Sequence, residues 1–175
     1  MASFVQRIAG ALALQPATYE EVESDPTATG QALGVVVLAG IAASIGAGGG
    51  ITVNGVVSHL AVGLLSWLLW AAIVLQVGGR IWPEAATKVS LAELLRTIGF
   101  ATAPGLLQVA GLVPGLARPV FLLVWAWILV AVVVGVRQAL DYRHTQHAIF
   151  VCLIGWLVAF GLTVGVGLLL TTPAQ

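Results

Sequence analysis

The residues that could bind a metal ion lie in one short polar segment. Asp141, His144 and His147 follow one another at spacings of three, which could bring their side chains to one face of a helix. Carboxylate and imidazole groups are ligands for zinc. Arg143 stands among them, and its charge would repel a cation. The sequence therefore favours an ordinary polar loop, and we predict no metal site.

His59 and His147 are the candidates for binding an organic cofactor. A histidine at membrane depth can ligate haem or a chlorin, or relay protons. An isolated histidine near a membrane interface more often hydrogen-bonds to a neighbour, so we predict no cofactor. A cofactor-binding accessory subunit of a respiratory or photosynthetic membrane complex stays as an alternative.

The pattern of polar residues predicts a non-enzymatic protein. The sequence has no serine–histidine–acid set, no cysteine–histidine pair and no paired carboxylates in its apolar segments. Gln76 and Gln108 are amides inside or at the edge of such segments, and we expect them to hydrogen-bond between helices. A small transporter or channel component that uses them as a path is the second alternative, although no charged residue accompanies them.

The composition indicates the environment in which these residues lie. Of the 175 residues, 59% are hydrophobic and 8% are charged, whereas soluble domains carry about 25% charged residues. The apolar surplus is expected to face the hydrocarbon of a bilayer. Because the net charge is zero and no basic stripe is present, we expect no binding to nucleic acid.

Apolar segments of nearly bilayer length predict an all-α polytopic membrane protein, a bundle of about five transmembrane helices. Residues 1–28 are expected to form a cytoplasmic segment with an amphipathic helix and an acidic stretch, and residues 29–172 the transmembrane domain. The predicted spans cover residues 31–46, 57–77, 97–116, 119–136 and 148–170.

The N-terminal segment is predicted to begin with a short amphipathic helix over residues 3–14. Its apolar face is expected either to lie among lipid headgroups or to dock on the protein. That face carries Phe4, Ile8, Ala11 and Leu12. A polar stretch from Pro16 follows, and Asp25–Pro26 reads as the cap and first turn of the first span.

Local signals predict the ends of the other helices. The run Gly48–Gly50 ends the first span, and Asn54–Gly55 is expected to form a turn before the second. Ser90 and Glu93 match a capping box, which predicts a helix that leads into the third span. Glycines at spacing four favour close helix contacts. These pairs are Gly30 and Gly34, Gly111 and Gly115, and Gly161 and Gly165.

Two prolines, Pro104 and Pro114, lie within the third predicted span. Each removes a backbone donor and clashes with the preceding turn, which costs ~3 kcal/mol in an ordinary helix. The third span is therefore predicted to be kinked and packed against its neighbours. A re-entrant segment is the alternative.

Five crossings would divide the basic residues very unequally between the two sides. One side holds a single basic residue, Arg118, and none of the seven acidic residues. The other side holds Arg7, Arg80, Lys88, Arg96, Arg137 and Arg143. By the positive-inside rule this asymmetry predicts a cytoplasmic N-terminus and an external C-terminus.

The start of the third predicted span resembles a motif of the Yip family, five-helix membrane proteins that interact with Ypt/Rab GTPases, together with their bacterial relatives. The sequence from Leu94 to Pro104, Leu-Leu-Arg-Thr-Ile-Gly-Phe-Ala-Thr-Ala-Pro, resembles the pattern Leu-x-Arg-x-x-Gly-Tyr/Phe-x-x-x-Pro. Residues 16–32 and 136–148 resemble the flanking segments of bacterial members. The positions that the motif and the prolines single out are Gly99, Phe100, Pro104 and Pro114.

The resemblance implies five crossings with the orientation given above, in a bacterial inner membrane. Eukaryotic members act in vesicle trafficking and bind Rab-type GTPases, but this sequence lacks their long N-terminal region and their Asp-Leu-Tyr-Gly-Pro motif, so GTPase binding is not carried over. We expect an interaction, scaffold or accessory subunit. Its partners would be the lipid bilayer, other membrane proteins or a second copy.

Overall fold

The computed structural model describes residues 2–47 and 52–171, with side chains described as far as Val158. Within those residues the chain is all-α, as predicted. The α-helices are α1 (Phe4–Leu12), α2 (Pro16–Ser24), α3 (Ala28–Gly46), α4 (Val53–Val74), α5 (Leu91–Ala101), α6 (Ala117–Ala139) and α7 (Thr145–Thr171). A π-helical extension, Leu75–Ile81, continues α4, and a 3₁₀ helix, Ala103–Leu112, follows α5.

Three helical segments are long and apolar enough to cross a bilayer. They are Ala28–Gly46, Val53–Ile81 and Ala117–Ala139. The described side chains of α7 add a shorter apolar stretch, Thr145–Val158. These segments make a multi-pass membrane protein, and the predicted fold class is confirmed.

Capping side chains explain where several helices begin. Ser90 and Glu93 form the predicted capping box, in which Glu93 Oε2 accepts from the Ser90 amide at 2.6 Å. The predicted turn at Asn54–Gly55 is wrong, because Thr52 caps α4 by accepting from the Gly55 amide at 3.1 Å. The second apolar helix therefore begins at Val53, earlier than predicted. The glycine run 48–50 lies outside the described residues.

The polar stretch after Pro16 is a helix, which the sequence analysis did not predict. Pro16 occupies the first turn of α2, where its missing amide hydrogen costs nothing. Asp25 ends α2 and accepts from the Thr27 amide at 2.9 Å, immediately before α3. The acidic residues of this stretch therefore have fixed positions.

The third apolar segment is not one kinked α-helix. Helix α5 ends at Ala101, and the chain continues as a 3₁₀ helix that has Pro104 in its first turn. Proline fits there because its fixed φ and missing donor suit a helix start. Pro114 lies exposed in the turn before α6, so it kinks no helix.

Helix α5 and the 3₁₀ helix run beside α3 from one end to the other. A Cβ built on Gly99 would lie 2.8 Å from Ala32 Cβ, and one on Gly105 would lie 2.9 Å from Ala39 Cβ. Close to the end of α3, a Cβ on Gly46 would lie 1.8 Å from the Gln108 carbonyl oxygen. Both segments therefore run in the same direction, with their backbones in close contact.

Candidate functional site

Helices α1 and α2 and the first turns of α5 form a polar platform at one end of the bundle. The apolar face of α1 packs on the protein core, the second of the two arrangements considered for it. Ala11 is fully buried, and Phe4 contacts Phe100 of α5 edge to face, with ring centroids 6.4 Å apart. Such a pair contributes about 1 kcal/mol beyond burial.

Arg7 fixes α1 to its neighbours from the edge of the same buried face, next to Ala11. Its side chain is 2% exposed, and one guanidinium nitrogen lies 2.9 Å from Glu21 Oε1 and 2.6 Å from Asp25 Oδ2. Another donates to Gln31 Oε1 of α3 at 2.9 Å. A buried arginine with two carboxylates and an amide has its donors satisfied, so this cluster holds three helices in one arrangement.

The pKa values of both carboxylates in this cluster are lowered from their usual values. Hydrogen bonds from the Thr27 hydroxyl and from Arg7 lower the pKa of Asp25 to about 2. The pKa of Glu21 is lowered chiefly by the Ala2 amide, and next by Arg7. Because a depressed carboxyl pKa stabilises the fold only while the group is ionised, the contribution of Asp25 is lost as the pH falls below about 4 towards 2.

Arg96, the arginine of the motif at the start of the third apolar segment, caps the C-terminus of α2. Its side chain is 6% exposed, and Nε donates to the carbonyls of Val22 at 3.0 Å and Glu23 at 2.9 Å. The last carbonyls of a helix have no partner within the helix, and a cation there also suits the helix dipole. The arginine therefore joins the platform to the bundle.

The other motif residues pack this same junction. Gly99 leaves no space for a side chain against Ala32, and Phe100 is fully buried. Pro104 is buried where the α-helix changes to the 3₁₀ helix. Of the four positions that the sequence singled out, only Pro114 lies apart from this junction.

A second polar contact joins the loop after α4 to the loop before α7. The Tyr142 hydroxyl lies 2.9 Å from the Trp82 carbonyl, and Glu84 pairs with His147. Glu84 also accepts from the Arg143 amide at 3.2 Å. The bond from His147, and then that from Arg143, lower the pKa of Glu84. Together these bonds fasten α4 to α7.

This contact accounts for the histidines that we considered as metal ligands. Asp141 lies in the turn after α6 with φ +51°, whereas α7 begins at Thr145, so Asp141 and His147 do not share a helix face. His147 instead binds Glu84. Among the described residues no three metal-binding side chains come together.

A large cavity, which we call the main cavity, lies elsewhere in the described structure, between α3, α4, the 3₁₀ helix and α6. Its volume is about 910 Å³, and its lining is mostly apolar. His59 and Gln108 lie on its wall, but Gln76 does not. The two glutamines therefore do not form one path.

Residues 10–166 of the chain match the Yip1 domain. The chain belongs to the Yip1 domain family. Its members are generally non-enzymatic membrane proteins, and this chain is a multi-pass membrane protein. No curated protein and no solved structure matches it. In this Yip1 protein, the motif residues thus have a structural explanation. Arg96 caps the C-terminus of α2, and Gly99 allows α3 to pack closely against α5.

Of the glycine pairs predicted to form helix contacts in this Yip1 protein, Gly30 and Gly34 make no close backbone contact. A Cβ on Gly30 would meet no atom within 4 Å, and one on Gly34 would meet only Phe4, at 3.9 Å. Gly115 is in the turn before α6, with φ +82°. Gly111 does make a close contact, with the Gly46 carbonyl. Gly161 and Gly165 lie beyond the described side chains.

The Yip1 platform also contains one carboxyl group with a raised pKa. Burial raises the pKa of Glu23 to about 7, and the charges of Asp141 and Glu93 add to the effect. A raised carboxyl pKa means that the folded protein binds a proton more tightly than the unfolded chain. Glu23 therefore costs stability as the pH rises from about 4.5 through 7.

We expect Glu23→Gln to stabilise the protein at pH 8 by about 1 kcal/mol, a value reduced for the partial exposure of the side chain. At pH 4 the two proteins should be equally stable, because the carboxyl is then neutral in both states. Thermal unfolding in mild detergent from pH 4 to pH 8 measures this. Glu20→Gln, at an exposed position of α2, should change the profile much less, because the charge of Glu20 is the weakest of the causes that raise the pKa of Glu23. An equal gain from Glu23→Gln at both pH values would contradict the argument.

Proposed function

We propose that this Yip1 domain protein is a bacterial inner-membrane protein that acts by interaction, as a scaffold or accessory subunit for other membrane proteins. It would cross the bilayer five times, with the platform in the cytoplasm and the C-terminus outside. Its partner would dock on the platform.

The strongest support is the way in which Arg7 fixes α1. A partner that binds a preformed surface pays little ordering entropy, so a helix held by a buried ion cluster suits recognition better than a loose tail. Glu21 and Asp25 are engaged in that cluster, so these two carboxylates are not free to bind a partner by charge. The free face of α1 remains, with Val5 72% exposed beside Gln6 and Ala9.

Two observations support five crossings. The 11 residues of α5 and the 10 of the 3₁₀ helix extend about 36 Å together, which exceeds the ~30 Å hydrocarbon core. All the acidic side chains, and every basic one except Arg118, lie on elements at the platform end. That distribution favours the positive-inside orientation.

Cysteine placement tests the orientation and the interaction together. The chain has a single cysteine, Cys152, which is 1% exposed, so Val5→Cys adds an accessible thiol at the platform. We expect a membrane-impermeant maleimide to label this variant in inverted vesicles but not in intact cells. A thiol crosslinker should then join it to a defined membrane protein.

The crosslink must depend on the platform if the proposal is right. Adding Arg7→Gln to Val5→Cys should reduce crosslinking about tenfold at an equal protein level, because it breaks the cluster that holds α1. Val62→Cys, 64% exposed on α4, is the control and should capture no such partner. Labelling of Val5→Cys in intact cells would refute the orientation, and crosslinking unaffected by Arg7→Gln would refute the role of the platform.

A further inference from the structure

The main cavity has the dimensions of a site for an acyl chain. Its volume of about 910 Å³ lies within the range of roughly 300–1,000 Å³ that is typical of ligand sites. Its lining extends from Ser58 to Ile73 on α4 and from Ala117 to Val132 on α6. Fifteen helical steps cover about 22 Å, which is longer than one leaflet of the ~30 Å hydrocarbon core. An acyl chain therefore fits lengthwise.

The charged and imidazole side chains of this cavity lie at one end, and two hydroxyl side chains, Ser66 and Thr102, lie nearer its middle. Ser58, His59, Gln108 and Arg118 line the end that is remote from the platform. The opposite end is apolar and aromatic, with Trp67, Trp70 and Trp156. Trp70 and Trp156 stack at this end, with ring centroids 6.2 Å apart. The cavity is thus amphipathic along its length, like a lipid molecule.

Arg118 supplies the charge at the polar end. It lies exposed in the first turn of α6, and all seven acidic residues of the chain belong to elements at the platform end. Among the described residues no carboxylate forms an ion pair with it. His59 Nδ1 donates to the Gly55 carbonyl at 2.8 Å, which leaves Nε2 available to a ligand. An anion would therefore find a cation there without a competing acid.

We propose that the cavity binds one anionic phospholipid from the leaflet opposite the platform. The phosphate would contact Arg118, which can form two parallel hydrogen bonds to it. One of the lipid's two acyl chains would lie in the apolar groove between α4 and α6. This site is independent of the proposed scaffold role, because it uses the other end of the bundle.

A second copy of the chain suits this cavity less well. A second protomer would have to bring an acidic side chain to Arg118, and the acids of each copy lie at the platform end. An anionic lipid provides both the charge and the chain within one molecule. Dimer formation through this cavity, or equally good binding of a neutral lipid, would therefore count against the proposal.

Native mass spectrometry of the detergent-purified protein, titrated with phosphatidylglycerol or phosphatidylcholine of equal chains, tests the site. We expect single-lipid adducts with about fivefold preference for phosphatidylglycerol, the scale of one exposed ion pair. Arg118→Gln should abolish that preference, and Arg80→Gln, at an exposed position on the platform side, should preserve it.

A second variant tests the groove itself. A Cβ on Gly63 would meet no atom within 4 Å, so Gly63→Leu places its side chain in the cavity without a backbone clash. It should lower the adducts of both lipids about tenfold. Gly30→Leu, which also has free space but lies outside the cavity, should change nothing.

Several results would overturn the proposal. One is wild-type adduct levels in Gly63→Leu. A second is an Arg80→Gln variant that loses the preference for phosphatidylglycerol as fully as Arg118→Gln does. A third is a wild-type protein that binds both lipids equally. A dimer that disappears in Gly63→Leu would assign the groove to a second copy.

Discussion

Gly46→Ala is expected to destabilise the protein by about 3 kcal/mol or more, because the added methyl group meets backbone rather than side chain. The new Cβ would lie 1.8 Å from the carbonyl oxygen of Gln108 and 2.7 Å from its carbon. A flexible side chain could turn away, but here the 3₁₀ helix itself has to move away from α3. Thermal unfolding in mild detergent should show an apparent Tm about 10 °C lower.

Gly30→Ala is the matched control, since it makes the same chemical change in the same helix. Its Cβ would meet no atom within 4 Å, and alanine favours a helix by about 1 kcal/mol over glycine. Gly46→Ala should therefore lower the stability of the protein, whereas Gly30→Ala should raise it. If Gly46→Ala were neutral, the close approach of α3 and the 3₁₀ helix would be wrong.

The sequence was a good guide to features that depend on neighbouring residues. The capping box at Ser90 is present, because both of its hydrogen bonds join residues three apart. The long apolar helices follow from composition, since hydrocarbon leaves the backbone no other partner. The amphipathic helix α1 follows from the spacing of Phe4, Ile8 and Leu12, although that pattern alone did not decide between lipid and protein as its contact.

Contacts between distant segments were harder to predict. As a single charge in an amphipathic helix, Arg7 resembles a solvent-exposed residue, whereas its partners lie 14 to 24 residues further along the chain. One signal was available: Glu21 and Asp25 are four residues apart, so they fall on one side of a helix. The polar stretch was not interpreted as a helix, and the signal was therefore missed.

The glycine contacts were missed for a related reason. A search for glycines at spacing four considers one helix at a time, but close approach depends on the residue that faces each glycine. In this protein Gly99 and Gly105 face Ala32 and Ala39, seven residues apart on α3. The chain changes from α to 3₁₀ geometry between these two glycines, and a single sequence does not reveal which residues then face each other.

Arg96→Met is expected to detach the platform from the bundle, with a loss of about 3 kcal/mol in stability. The substitution removes the donors to the carbonyls of Val22 and Glu23, and these carbonyls lie at a buried helix end with no substitute partner among the described contacts. Methionine keeps most of the apolar stem, so lost packing contributes little. Hydrogen exchange of the α2 amides should quicken about a hundredfold, while that of α6 should change less.

Arg96→Lys separates the geometry of this contact from its charge. An ammonium group keeps the charge near the end of α2, but it lacks the planar fork that reaches two carbonyls, so it should recover less than half of the loss. Arg80→Met, at an exposed position, should leave α2 exchange unchanged. If Arg96→Lys behaved like the wild-type protein, charge alone would suffice, and the conclusion that hydrogen bonds from Arg96 hold the platform in place would fail.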